Sequence, residues 1–258
     1  MYEAMMIAAT GLQNQQRRLD TIANNVANVN STAYKSARLD FKDALYTSGI
    51  VPAKPRTPEG NQQKGHGIMI AGIERDFSTG NMQITERSLD VAIEGEGFFE
   101  LGDGSGSVAY TRNGAFSLST EENGDYLVNG DGLYVHDADG GRIQVPYGTN
   151  TISVNPDGTI TFIALEEETT VRLGIYTFRN ITGLESMGNG TYSESVASGE
   201  KLPKEGSVTI RQGSLEGSNV NLSEEMTRLI RTQRTFQLSS RALTTADEME
   251  GIANNMRR

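Results

Sequence analysis

The sequence predicts an α+β fold, mainly β, in which long coiled-coil-like helices at both chain ends flank an antiparallel, barrel-like or sandwich-like β-domain. The first observation is the distribution of Gly, since only three of the 29 lie within residues 1–50 and 219–258. Gly-poor ends with periodic apolar residues are typical of helices. The second observation is that the middle alternates short β-branched runs with turn sequences such as Asn113-Gly114. This alternation indicates strands joined by hairpins.

The N-terminal helix carries apolar residues at alternating spacings of three and four, which is the spacing of a coiled-coil seam. The predicted seam has one polar position and consists of Met5, Ala8, Leu12, Gln15, Leu19, Ile22, Val26 and Val29. An Asn-rich cluster follows, made of Asn24, Asn25, Asn28 and Asn30. Asn is a poor interior helix former. Two interpretations stay open: a polar face with a helix cap, or hydrogen bonds that fix how helices of different subunits pack.

The C-terminal helix is predicted to begin after Asn221 as N-cap, with Glu224 placed to complete a capping box. Its predicted stripe consists of Leu222, Met226, Leu229, Gln233, Phe236 and Leu243, and it continues to Met249 after a shift in phase. Such stripes usually pack on their own domain. A 25-residue helix is about 37 Å long, however, whereas a compact chain of this length has a radius of gyration of about 18 Å. We therefore expect both helices to project and to self-assemble.

The sequence divides into three regions. Residues 1–35 and 220–258 are predicted to form a terminal helical assembly domain, and residues 36–66 an extended linker that contains three of the six Pro. Residues 67–219 are predicted to form the β-rich domain. The candidate core of that domain consists of Val91, Ile93, Phe98, Phe99, Tyr110 and Phe116.

Charge separates the ends from the middle. The net charge is −10, yet residues 1–50 carry five basic and four acidic groups, and residues 219–258 carry six and five. The acidic excess therefore lies between them, which argues against binding the phosphate backbone of a nucleic acid. The nearly neutral ends can approach copies of themselves without strong repulsion.

No pattern in the sequence predicts an enzyme, a metal site or a cofactor. The chain has no Cys, which excludes thiol nucleophiles and Cys-ligated zinc. Neither of the two His, His66 and His136, lies in a catalytic motif, and no Gly-rich segment completes a calcium or dinucleotide loop. The sequence contains no secretory signal and no apolar run that would insert in a membrane. We expect a cytoplasmic chain, or one exported without a cleaved signal.

Four segments resemble the bacterial flagellar rod and hook protein family. They are residues 22–35 (IANNVANVNSTAYK), 90–99 (DVAIEGEGFF), 110–116 (YTRNGAF) and 213–221 (GSLEGSNVN). The family usually has Gly-Phe where this chain has Ala33-Tyr34. Residues 183–188 (GLESMG) are most similar to the distal-rod protein, and a proximal-rod paralogue of similar length is the alternative.

This resemblance implies a structural subunit rather than an enzyme. Its implied partners are copies of itself, other flagellar rod and hook proteins, and the flagellar type III export apparatus. The subunits are expected in the flagellar basal body, stacked helically into a hollow drive shaft whose inner layers are the terminal helices. A different class stays open from the residues alone, namely an extracellular binding module that uses the β-domain.

Overall fold

The computed structural model describes residues 2–44, 46–48, 63–65, 67–104, 106–164, 168–204 and 208–256. The chain divides into two compact units. The helical unit comprises Met1–Ala27, Ala37–Arg75 and Asn221–Arg258, and the β-unit comprises Asn28–Ser36 and Asp76–Val220. Among the described residues, no helix combines the length and the hydrophobicity that crossing a bilayer requires.

Two long helices and a two-stranded ribbon form the helical unit. Its elements are α1 (Tyr2–Ala27), β1 (Ala37–Asp43), β2 (Tyr46–Ser48), β3 (Gln63–Gly65), β4 (Ile68–Arg75) and α2 (Leu222–Asn255). Helix α1 packs on α2 and also contacts β1 and β4. Asn221 is the N-cap of α2, because its Oδ1 accepts hydrogen bonds from the backbone N–H groups of Ser223 and Glu224. Glu224 pairs with Arg228 Nη2 at 2.5 Å, which replaces the predicted reach back to the cap.

The ribbon occupies the flanks of the predicted linker. Strand β1 pairs antiparallel with β4, and β2 pairs antiparallel with β3. Residues 37–42 (ARLDFK) alternate apolar and charged side chains, which is the pattern of a strand, although the predicted linker included them. Strand β4, which the sequence placed in the β-rich domain, belongs to the helical unit. The Pro-rich part of the predicted linker, residues 49–62, lies outside the described residues.

The β-unit is antiparallel throughout its described strands. These strands are β5 (Met82–Ile84), β6 (Val91–Glu94), β7 (Phe98–Gly102), β8 (Val108–Thr111), β9 (Ser117–Glu121), β10 (Gly124–Val128), β11 (Tyr134–Val135), β12 (Gln144–Val145), β13 (Thr151–Val154), β14 (Thr159–Ile163), β15 (Glu168–Arg172), β16 (Ile175–Phe178), β17 (Glu185–Gly188), β18 (Thr191–Ser193), β19 (Lys201–Pro203), β20 (Thr209–Gln212) and β21 (Ser214–Glu216). A single 3-10 turn, Ile181–Gly183, separates β16 from β17.

The largest sheet is open, so the barrel-like form of the predicted barrel-like or sandwich-like domain is wrong. Its strands follow the order β12-β10-β11-β7-β8-β18-β17, with β9, β16 and β19 attached at its sides. Three further sheets, β13-β14-β15, β20-β6 and β21-β5, complete the unit within the described residues. The strands are short, and their ends pair with different neighbours, so no single sheet curls far enough to meet its own edge.

Strand β7 divides the core of the β-unit in two. All its residues are buried, since apolar side chains cover both of its faces. Phe99 packs edge-to-face on Phe116 in the larger cluster, and Phe98 packs with Tyr192 in an aromatic cluster. The six candidate core residues are all at most 2% exposed: Val91, Ile93, Phe98, Phe99, Tyr110 and Phe116.

Gly114 shows why the Asn113-Gly114 turn has its sequence. A Cβ at this position would lie 1.7 Å from the carbonyl oxygen of Val91, well inside van der Waals contact. The backbone N–H of Val91 also donates to Gly114 O at 3.0 Å. Only Gly allows this close approach, which places the preceding residues, including Arg112, at the edge of β6.

Candidate assembly surface

The side chains of the predicted α1 seam lie on one face of the helix. Ile22 is buried, and the half-buried members are Met5, Ala8, Leu12, Gln15, Leu19 and Val26. The Oε1 atom of Gln15 is buried and has no hydrogen-bond donor among the described residues. Val29 lies beyond the end of α1, in the part of the chain that belongs to the β-unit.

The predicted stripe of α2 is divided between two faces. Leu229, Phe236 and Leu243 are half-buried within the helical unit, whereas Leu222, Met226, Gln233 and Met249 are exposed. The inward face instead contains Glu225 and Thr232, which are 4% and 3% exposed. Apolarity alone could not find this face, because two of its most buried residues are polar.

An outer apolar row remains on α2. It comprises six residues of α2, Leu222, Met226, Ile230, Leu238, Met249 and Ile252, together with Met256 directly after the helix, all at least 43% exposed. Single exposed apolar residues are ordinary on a protein surface, but a row along one helix marks an interaction site.

Asn25 joins three segments of the helical unit. Its Nδ2 donates to Ala37 O at 2.9 Å, and its Oδ1 accepts from Ala37 N at 3.0 Å. The same Nδ2 lies 3.4 Å from Glu225 Oε2 on α2. Asn25 is 1% exposed. Of the Asn-rich cluster, this residue therefore connects segments of its own chain. Asn24 is exposed.

A buried charged triad organises the β-unit. The Lys35 ammonium donates to Glu216 Oε1 at 2.7 Å and to Ser78 O at 2.6 Å. The Arg112 Nε donates to Glu216 Oε2 at 2.8 Å, and its Nη2 donates to Gly95 O at 2.6 Å. The three side chains are at most 2% exposed.

Backbone hydrogen bonds surround this triad. Ala33 N donates to Glu216 O at 2.7 Å, and Gly80 N donates to Glu216 Oε1 at 2.8 Å. Ser36 N donates to Asn219 Oδ1 at 2.8 Å. The triad and these bonds therefore bring together three sequence segments that resemble family motifs. Reasoning from the sequence missed Lys35, Arg112 and Glu216 as a site; the available signal was a charged residue inside each motif.

The triad shifts the ionisation of its members. Burial raises the pKa of Glu216, but Arg112, Lys35 and the hydrogen bonds outweigh burial, so the pKa of Glu216 lies below its ordinary value. Burial lowers the pKa of Lys35, and the nearby Arg112 lowers it further against the opposing effect of Glu216. Glu216 is thus held as a carboxylate that serves two cations.

Glu100, His136 and Lys201 form a second cluster of titratable side chains in the described part of the β-unit. His136 Nδ1 lies 3.1 Å from Glu100 Oε1, and Lys201 Nζ donates to Glu100 Oε2 at 2.6 Å. Glu100 is buried, so its neighbours neutralise a buried carboxylate. In the described part of the chain, no three metal-ligating side chains come together. His66 lies outside the described residues.

Three family profiles match the chain in order. Residues 5–35 match the flagella basal body rod protein profile. Residues 92–162 match the D1 domain of the flagellar hook proteins FlgE/F/G, and residues 211–256 match the C-terminal profile of the flagellar basal body rod FlgEFG proteins. The three matches contain Lys35, Arg112 and Glu216, respectively.

Relatives of the same length cover the whole chain. A flagellar basal-body rod protein FlgG of Borreliella burgdorferi is 38% identical, and one of Bacillus subtilis is 36% identical, each over 100% of both chains. A flagellar hook-basal body complex protein, FlhP of Bacillus subtilis, is 32% identical over 100% of both chains. The resemblance to flagellar rod proteins is therefore confirmed: the chain belongs to the flagellar basal-body rod protein family, is most similar to its FlgG members, and is a structural subunit of the basal body rather than an enzyme.

Proposed function

We propose that the chain forms the distal part of the flagellar rod, where copies stack helically into a hollow shaft that carries torque from motor to hook. The observation that carries this proposal is the outer apolar row of α2. A helix of 34 residues leaves six large apolar side chains uncovered, and Met256 follows directly after it; exposed apolar surface of this kind is typical of a site that another protein surface covers.

Copies of the same chain are the partners that this row fits best. Residues 219–258 carry six basic and five acidic groups, so the region of the row is nearly neutral. Such a surface has no electrostatic preference for an acidic or a basic partner, so apolar packing determines which partner binds. In the shaft the helices of neighbouring copies pair with coiled-coil spacing, and Gln15 and Gln233 set the register of that pairing.

Family membership supports two further parts of the proposal. The neighbours at either end of the shaft are other flagellar rod and hook proteins. The chain reaches the site of assembly through the flagellar type III export apparatus, without a cleaved signal. Both are tested by following secretion and rod assembly of the full chain in cells.

A first test asks whether assembly needs the packing of α1 on α2, and it uses Leu19→Asp and Leu229→Asp. Both positions are half-buried on α1 and α2, which pack on each other, so an added carboxylate costs on the order of 3 kcal/mol unless it is paired. We expect non-motile cells and purified protein whose β-unit stays folded. The matched control is Ala23→Asp, which adds the same charge at an exposed position.

Electron microscopy of isolated basal bodies supplies the measurement. Normal rods in both Leu variants would contradict the role of the helices. A strain that lacks the gene distinguishes the distal-rod assignment from the proximal-rod alternative. Loss of the distal rod alone supports the proposal, and loss of the whole rod supports the alternative.

A further inference from the structure

The nine residues Asn28–Ser36 have an unusual position in the chain. They belong to the β-unit, although the residues before and after them belong to the helical unit. Ala33 N donates to Glu216 O, Ser36 N to Asn219 Oδ1, and Asn219 N to Tyr34 O. Every one of these partners lies in the final segment of the β-unit, residues 214–220, which we call the closing segment.

Docking of residues 28–36 depends on a carboxylate that two cations share. The triad has two cations, Lys35 and Arg112, and one carboxylate, Glu216. With all three in place, each cation has a charged partner. If Glu216 is absent, docking the segment brings a second unpaired cation, the Lys35 ammonium, next to a buried guanidinium. Buried charges without a counter-charge are strongly unfavourable.

The positions of the three residues in the sequence indicate the order in which their segments dock. Glu216 lies 181 residues after Lys35 and 104 residues after Arg112. Arg112 and Glu216 belong to the same continuous stretch, Asp76–Val220, whereas Lys35 comes from outside it. The stretch balances its own buried charge without Lys35, but Lys35 has only backbone acceptors such as Ser78 O, and no counter-charge, until Glu216 is in place.

We propose that Glu216 is a charge-gated latch, which allows residues 28–36 to dock on the β-unit only after the closing segment has paired with β5. Residues 28–36 directly follow α1 in the chain, so the order of their docking matters for assembly only if the proposed assembly function holds. An incomplete chain, such as one still being exported, keeps the segment undocked.

The order of docking is tested by refolding the full chain under pulsed hydrogen exchange. The amide of Gly217, which donates to Asn81 O at 2.8 Å, reports pairing of the closing segment. The amides of Ala33 and Ser36 report docking of the N-terminal segment. We expect Ala33 and Ser36 to gain protection after Gly217. Protection of Ala33 before Gly217 or together with it would overturn the proposal.

The role of charge is tested by native-state hydrogen exchange of three full-length variants. Glu216→Gln leaves two buried cations without a counter-charge, so we expect Ala33 and Ser36 to exchange about 100-fold faster or more. Lys35→Met leaves the Arg112–Glu216 pair balanced and fills similar volume, so we expect less than about a 10-fold change. Lys35→Met combined with Glu216→Gln removes one of the two unpaired cations, so its exchange should be slower than that of Glu216→Gln alone.

Glu100→Gln is the matched control. Glu100 is a buried carboxylate of the same unit and accepts from Lys201 at 2.6 Å, but its hydrogen-bond partners lie outside residues 28–36. Ala33 should keep its protection in this variant. The latch is disproved if Lys35→Met exposes Ala33 as much as Glu216→Gln does, or if the double variant exchanges no more slowly. These measurements use dilute monomer, so a failure of polymerisation leaves them unaffected and counts against the assembly function alone.

Discussion

At the scale of single residues, three charged side chains occupy positions where a core normally places apolar ones. Lys35, Arg112 and Glu216 each lose their hydration, and this loss is offset only because every charge has a partner at hydrogen-bond distance. Removing one partner therefore costs more than the pair itself contributes. Such residues determine which segments come together more than they determine the total stability.

The lowered pKa of Glu216 predicts loss of stability in acid. The unfolded chain binds the Glu216 proton more readily than the folded chain does, so the stabilisation is present above the ordinary carboxyl pKa. It is lost as the pH falls through the lowered folded value. We expect the thermal midpoint of the full chain to drop between pH 7 and pH 3, and to drop less in Glu216→Gln. The exposed Glu122→Gln is the control, and an equal drop in all three proteins would contradict the prediction.

Asn25→Ala is predicted to destabilise the helical unit. The substitution removes both hydrogen bonds to Ala37 and leaves the backbone N–H and C=O groups of Ala37 without their partner, which costs about 1–3 kcal/mol. Urea unfolding followed by helical circular dichroism measures the loss. Gln13→Ala, at an exposed position of the same helix, should change stability by less than about 0.5 kcal/mol. Equal effects of the two variants would show that the buried amide has no special role.

At the scale of elements, one face of α2 packs on α1 and the opposite face is exposed. The inward face holds α1 and includes polar residues that are satisfied within the chain, among them Thr232, whose hydroxyl donates to Arg228 O. The outer apolar row has no cover within the described residues of its own unit. A substitution on the inward face therefore changes the monomer, and one on the outer row changes only what the monomer binds.

Ile230→Asp is predicted to separate folding from assembly. Ile230 is 51% exposed, so the unfolding free energy of the monomer should change by less than about 0.5 kcal/mol. In the shaft the same carboxylate would be buried against another copy, which blocks polymerisation. Sedimentation of concentrated protein and motility of cells measure the effect, with Ala23→Asp at an exposed position of α1 as control. Polymers of normal length from Ile230→Asp would exclude this row as the contact.

At the scale of the whole molecule, the two units differ in how the chain builds them. The β-unit draws only nine residues from outside Asp76–Val220, and its two apolar clusters lie within that stretch. The helical unit, by contrast, is assembled from three separate stretches. Folding of the β-unit is therefore expected to precede completion of the helical unit.

The fragment of residues 76–220 is predicted to fold by itself. It retains the Arg112–Glu216 pair at 2.8 Å, which is balanced without Lys35. Circular dichroism should show strands and a cooperative thermal transition. The same fragment with Glu216→Gln keeps a buried, unpaired Arg112 and should lose about 3–5 kcal/mol. A fragment that is unfolded in its unmodified form would show that residues 28–36 are needed from the start.

Local patterns in the chain were sufficient to predict the two terminal helices, the strand-rich middle, the buried Phe98 and Phe99, and membership in the rod family. These features depend on periodicity, turn chemistry and motif order, which are properties of neighbouring residues. The open sheet, the ribbon that residues 37–48 form with β3 and β4, and the inward positions of Glu225 and Thr232 became known only from the folded chain. The same holds for the meeting of Lys35, Arg112 and Glu216. Such contacts join residues far apart in the sequence, and whether a charged residue is buried depends on a partner that its own neighbourhood does not reveal.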